Sequence, residues 1–216
     1  MSDKIDREEM MRRSNALFDL AASTANEPHL AVKWGDPQRQ YFRFAELIKY
    51  VDLDDPRKTL LDVGCGNGEL LKFLNFSGYR GQYRGCDINA QLLEQARKRF
   101  PGAVFEHRDL LSAAEELPER FDYVLMSGLF NADFGQSVEW VHQMLAAMFQ
   151  RAEEVLAFNA VSTHVNTRDR EIFYLDPSSL LEFCIKNLSK RVTVAHHNLP
   201  FNFTAAVYRD ENWRSV

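Results

Sequence analysis

Three glycines, Gly64, Gly66 and Gly68, alternate directly after the apolar run Leu60-Leu61-Asp62-Val63 and directly before Glu69-Leu70. Glycine tolerates positive φ and carries no β-carbon, so this stretch reads as a strand, a tight turn and a helix start whose backbone a flat ligand can approach. Such a platform fits dinucleotides, nucleotides and S-adenosylmethionine alike. Asp87 follows Asp62 by 25 residues, the separation at which one strand–helix–strand unit sets a carboxylate at the end of the next strand, in reach of both ribose hydroxyls. Asp109 and Ser127 fall at the ends of the two strands after that. Together they form a nucleoside-shaped constellation.

The elements that must position these residues follow in strict alternation from Arg57 onward, the pattern of a parallel sheet with helices on both faces. Strands are expected at 59–63, 82–87, 103–107, 121–126 and 154–159, and helices at 69–76, from Asn89 to Pro101, and at 137–150. Asp176-Pro177 starts another helix as N-cap and first-turn proline, and 191–195 with 202–208 reads as a closing antiparallel pair. Ahead of the core, 4–25 and 38–51 have helical spacing. The Pro- and Gly-containing stretch 26–37 is expected to be irregular, although it holds Lys33 and Trp34.

The fold class is therefore α/β: a doubly wound, seven-stranded, mostly parallel sheet with an antiparallel last strand and an N-terminal helical cap. One domain spans 1–216, divided into a cap (1–56), a cofactor-binding core (57–160), a lid (161–176) and a closing helix with its strand pair (177–216). The 216 residues, 45% of them hydrophobic, suffice for one core covered on two faces. A net charge of -5 weighs against a polyanion-binding surface, and no nucleic-acid partner is expected. Three cysteines without C-x-x-C spacing suggest a reduced protein with no metal site. The charged N-terminus and the lack of a run of roughly 20 apolar residues lead to the expectation of a cytoplasmic protein off the membrane, monomeric or homodimeric.

Leu61-Asp62-Val63-Gly64-Cys65-Gly66-Asn67-Gly68 resembles the first motif of the class I S-adenosylmethionine-dependent methyltransferases, an acidic residue followed by G-x-G-x-G rather than the G-x-G-x-x-G of NAD enzymes. Gly85-Cys86-Asp87-Ile88 resembles the second motif, Arg108-Asp109-Leu110 the motif after strand three, and Phe121-Asp122-Tyr123-Val124-Leu125 the strand that opens the fourth. The resemblance implies that Gly64, Cys65 and Gly66 lie by their backbone against the methionine and ribose parts of the cofactor, with Asp62 ordering the turn. It further implies Asp87 on the ribose, Ile88 on the adenine face, Asp109 on the adenine amino group with Leu110 nearby, and Ser127 at the methionine end. Arg43, alone on an aromatic helix, is the expected partner of the cofactor carboxylate.

Transfer from a sulfonium needs positioning more than acid–base machinery, so the acceptor is read from the lids 28–41, 129–134 and 161–174. His164 is the first candidate base, as the histidine nearest a site-forming strand end, followed by Tyr174 and Asn131. Lys33, Arg39, Arg168 and Arg170 make both long lids basic, which hints at an anionic acceptor. No N-P-P-Y or D-P-P-Y follows strand four, where Ser127-Gly128-Leu129-Phe130 stands instead. The expectation is methyl transfer from S-adenosylmethionine, with S-adenosylhomocysteine as product, to an oxygen or nitrogen of a small metabolite. The alternatives are an RNA or protein methyltransferase, a non-catalytic cofactor-binding regulator, and an NAD-dependent oxidoreductase.

Overall fold

Leu60, Leu61, Val63 and Leu125 are fully or almost fully buried, and they belong to the two neighbouring strands at the centre of the sheet. The computed structural model describes residues 6–33, 35–112 and 119–209; Trp34, singled out in the sequence, lies outside them. Seven strands run β1 (Thr59–Val63), β2 (Gln82–Asp87), β3 (Val104–His107), β4 (Phe121–Ser127), β5 (Ala152–Val161), β6 (Val192–Ala195) and β7 (Asn202–Tyr208). Their order is β3-β2-β1-β4-β5-β7-β6. The first five are parallel, and β7 is antiparallel to both β5 and β6. This is the expected doubly wound sheet with its reversed strand.

Residues of β1 alternate between the faces, as the pleat requires. Leu61 and Val63 join the core under α6 (Val138–Arg151) and α7 (Pro177–Asn187), with Val141, Leu145, Met148 and Leu180. Leu60 faces α3 (Pro37–Ile48) and α4 (Glu69–Phe76) through Phe44, Leu47, Leu70 and Leu74. Cys65 belongs to a third cluster with Leu93, Ala96 and Phe105, under α5 (Ala90–Arg99). With both faces covered, the parallel strands read as continuous apolar runs.

Two expectations about the N-terminal region are corrected. The stretch 26–37 is not wholly irregular: Pro28 sits in the first turn of a short helix, α2 (Pro28–Ala31), where its missing N–H costs nothing. Nor do all the N-terminal helices cap the site. α3 packs beneath the sheet against α4, β4, β5 and β7, and only α1 (Arg7–Thr24) and α2 cross its carboxyl end. α1 is fastened along its length. Arg7 reaches Asp109 and donates to the Leu111 carbonyl (2.8 Å), while Asp19 and the Ala22 carbonyl accept from Asn89 (2.8 Å) and Gln95 (3.2 Å) of α5 and its cap.

Candidate active site

The carboxyl ends of β1, β2 and β4 converge where the strand order reverses, the place where open α/β sheets bind ligands. Gly64 and Gly66 both adopt positive φ, +71° and +54°. The turn stays close to β2 because the Gly64 and Cys65 N–H groups both donate to the Cys86 carbonyl (2.9 and 3.1 Å). A β-carbon on Gly66 would stand 2.8 Å from Val32 of the cap, and one on Gly64 3.3 Å from Leu129. The expectation that all three glycines bare one face to a ligand needs correction at Gly68. The space beside it is taken by the Phe100 ring, which a β-carbon there would meet at 2.9 Å, so that glycine serves packing. The Cys65 side chain is likewise turned into the core, leaving only its backbone for a ligand.

Asp87 is the hinge of the site. Its Oδ2 accepts from the Gly66 N–H and its Oδ1 from the Asn89 N–H, both at 2.8 Å, so one carboxylate fixes the glycine turn and the start of α5 together. Each carboxylate oxygen keeps a further lone pair, enough for two hydroxyls. Burial pushes the Asp87 pKa up, against the pull of these N–H donors. Asp62 does something different from the expected ordering of the turn: it is sealed behind the sheet, 2% exposed, and accepts from the Tyr83 hydroxyl at 2.8 Å. Burial foremost, with Asp87 adding a nearby negative charge, raises its pKa to about 7.

Two adjoining clefts open on the turn. The first, about 600 Å³ including space open to solvent, has Asp87, Ile88, Asp109 and Leu110 in its walls, together with Met10 of α1 and Trp140 of α6. The second, about 530 Å³, has Gly64, Gly66, Asp87 and Ser127, with Phe18 and Val32 from the cap. Asp87 and Ile88 belong to both. The donor set suits a nucleoside: paired hydroxyls at Asp87, a flat base between Ile88, Leu110 and methionines, and an exocyclic amine at Asp109. Asp109 is already engaged, its Oδ1 accepting from the Leu111 N–H (3.0 Å) and its Oδ2 bound by Arg7. Arg7 and Asn159 are site residues that sequence reasoning missed. Asn159, 1% exposed on β5, holds the Ser127 hydroxyl at 3.1–3.2 Å.

Beyond Phe18, Val32 and Gly128, which it shares with the second cleft, lies a third cavity of about 1120 Å³, including open space. Arg39 and Arg43 of α3, Lys33, Asn131 and Val161 are among its walls. Arg43 is therefore not where the sequence led us to expect it: it lines this cavity rather than either cofactor cleft, and its guanidinium holds the Asn202 side chain. Burial, then the charge of Arg39, lowers its pKa to about 9.

The base candidates fare differently. His164 lines none of these spaces; its side chain is 66% exposed and faces Asp176 at 3.9 Å. Tyr174 is drawn into the lid itself, its hydroxyl accepting from the Asp169 N–H (2.8 Å) and its ring covered by Arg168. Asn131 does reach the third cavity, but a carboxamide has no useful basicity.

Fold and clefts define a Rossmann-like protein built to hold a nucleoside cofactor at the ends of β1 and β2. Residues 61–161 match a family model described as a methyltransferase domain. A Mycobacterium tuberculosis protein whose name assigns it only to the methyltransferases is 29% identical over 167 residues, 74% of this chain and 98% of that one. Malonyl-[acyl-carrier protein] O-methyltransferase of Acetivibrio thermocellus is 33% identical over 116 residues, 52% of this chain and 39% of its own. Trans-aconitate 2-methyltransferase of Rhodopseudomonas palustris is 31% identical over 99 residues, 42% and 38% of the two chains. The chain thus spans under half the length of these last two. Among solved structures, magnesium protoporphyrin IX methyltransferase of Synechocystis with bound S-adenosylmethionine has the same fold (TM-score 0.65, 15% identity, 97% of this chain and 100% of that one). So does the DhpI complex with the same cofactor (TM-score 0.68, 13%, 95% and 100%). The chain thus carries a match to a methyltransferase domain over residues 61–161, set on the fold that these S-adenosylmethionine-bound structures share.

Proposed function

We propose that this enzyme methylates a carboxylate oxygen of a small anionic metabolite. The observation that carries the reading is the cavity beside the cofactor clefts, into whose wall the Arg43 guanidinium is sunk next to Arg39. The Arg43 guanidinium is poorly solvated there and repelled by that of Arg39, which is exposed and paired with Asp36 (3.6 Å); although Asp36, Asp169 and Glu171 also border the cavity, a bound carboxylate would relieve the desolvation of Arg43 with charge-assisted hydrogen bonds. Two relatives point the same way, since malonyl-[acyl-carrier protein] and trans-aconitate are acids by name.

In this reading Asp87 takes the ribose hydroxyls, Ile88 and Leu110 flank the adenine, and Asp109 takes its amino group. The backbone from Gly64 to Gly66 and Ser127 border the methionine end, while Arg43 serves the acceptor rather than the cofactor carboxylate. When bound, S-adenosylmethionine supplies a methyl group on a sulfonium that is its own leaving group. A carboxylate is ionised at neutral pH and arrives as a nucleophile, so no side chain has to remove a proton. The position of His164 outside the clefts agrees with this. What remains for the protein is to hold nucleophile and methyl in line and to keep water out, the task of α1, α2 and the 161–176 segment.

The test is methyl transfer to a panel of mono-, di- and tricarboxylic acids, each beside its neutral amide and a matched amine. Turnover is expected with acids only, with Arg43→Ala raising KM for the acid at least tenfold and leaving the S-adenosylhomocysteine Kd within twofold. Equal turnover of an amide or amine would overturn the reading.

A further inference from the structure

The wall opposite α3 in the third cavity is the stretch after β4, and its backbone is fixed from several sides. The Asn131 N–H donates to the Gly128 carbonyl (3.0 Å), and the Asn131 carbonyl accepts from the Phe173 N–H (2.9 Å). Its neighbour Ala132 bridges to Ile172 across the lid. On the other side Phe130 is fully buried and packs edge-on against Trp140 and Phe158. A side chain borne on such a segment has little freedom beyond its own two torsions.

The Asn131 side chain is nonetheless badly provided for. Its Oδ1 is enclosed and accepts no hydrogen bond among the described residues. An enclosed carbonyl without a donor is a cost to folding, so stability gives no reason for an amide here where leucine of similar size would be easier to bury. The carboxamide is planar and its ends point apart. With the carbonyl turned into the wall, the NH2 end is turned to the cavity that Asn131 lines together with Arg39, Arg43 and Val161.

We propose that Asn131 is a positioning residue for the acceptor, donating from Nδ2 to a carboxylate oxygen whose acid is anchored by the guanidinium groups of α3. This rests on the reading of the acceptor as an anion. The guanidinium side sets where the acid lies; a neutral, directional donor on a rigid segment sets how its plane is turned, and so which oxygen faces the cofactor cleft beyond Gly128. A second cation in place of Asn131 would hold the acid as firmly without choosing between its oxygens. The amide spends no charge, so the choice is made by geometry.

The experiment is calorimetric titration of the S-adenosylhomocysteine-loaded protein with trans-aconitate, acetate and inorganic phosphate, in the parent, Asn131→Leu and Asn131→Asp. Asn131→Leu is expected to keep or raise the melting temperature, keep the S-adenosylhomocysteine Kd within twofold, and weaken the best-bound acid at least tenfold. Asn131→Asp should weaken it at least a hundredfold, because a carboxylate there repels the acid. Acid binding within twofold of the parent in Asn131→Leu would overturn the assignment, as would a loss of melting temperature and cofactor-product affinity in step with acid binding, which is the mark of a structural residue. A parent that takes up none of the three anions overturns the anionic reading itself and this assignment with it; that failure is visible without any variant.

Discussion

Asp62→Asn should make this protein more stable, by an amount that depends on pH in a calculable way. Asp62 is 2% exposed, it accepts from the Tyr83 hydroxyl, its single donor among the described residues, and burial raises its pKa from 3.8 to about 7. Between those two values the folded state keeps the proton that the unfolded chain has released. The carboxyl's contribution is therefore fully present below about pH 4 and is lost as the pH rises through 7. At about 1.4 kcal/mol per pH unit, the loss is on the order of 2 kcal/mol at pH 5 and about 4 kcal/mol at pH 8. Asparagine copies the protonated form, can still accept from Tyr83, and does not titrate. Urea unfolding of parent and variant should show a stability gap that widens by about 2–3 kcal/mol between pH 5 and pH 8, or about 5–10 °C in Tm for a chain of this size. A gap that stays constant across that range would refute the claim that Asp62 is neutral when folded, and the desolvation argument with it.

Gly66→Ala should raise the S-adenosylmethionine Kd at least tenfold by calorimetry, because φ is +54° there and the added β-carbon meets Val32 at 2.8 Å; adding Val32→Ala should restore part of it. Arg7→Ala removes the link between α1 and the loop after β3 and should speed S-adenosylhomocysteine release about five- to tenfold in stopped-flow, the equivalent of roughly 1 kcal/mol for a part-exposed ion pair with one carbonyl contact. His164→Ala should leave turnover within twofold, since the imidazole is 66% exposed and faces Asp176; a drop of a hundredfold would restore it as the base.

The sequence announces the central strands because burial on both faces forces continuous apolar runs, and it announces the turn because no other residue type sustains positive φ there so cheaply. Asp87 is legible for the same reason: its distance from the turn is the length of one strand–helix–strand unit, and its bonds to Gly66 and Asn89 are local to that unit. What escapes is contact between distant segments. Arg7 and Asp109 lie 102 residues apart, and nothing in the charged start of α1 distinguishes Arg7 from Arg12 or Arg13, which pair with Glu9 on their own helix. Arg43 was legible as unusual but not as to its partner, since that depends on the β7 start at Asn202. His164 misled because nearness in sequence to the end of β5 says nothing about which way the following loop turns.

The strand order also bears on how the chain can be made. β5 is flanked in the finished sheet by β4 and β7, yet β6 and α7 leave the ribosome before β7 does. Until residues 202–208 emerge, one edge of β5, among the most deeply buried strands of the molecule, has no partner, and β6 has nothing to pair with at all. At roughly 5–20 residues per second this leaves a sticky edge exposed for several seconds of synthesis. The edge of β1 waits likewise for β4, but that wait is over before β5 is made. A nascent chain halted between β6 and β7 should therefore lean on chaperones far more than one that has released β7, the strand that joins β5 to β6.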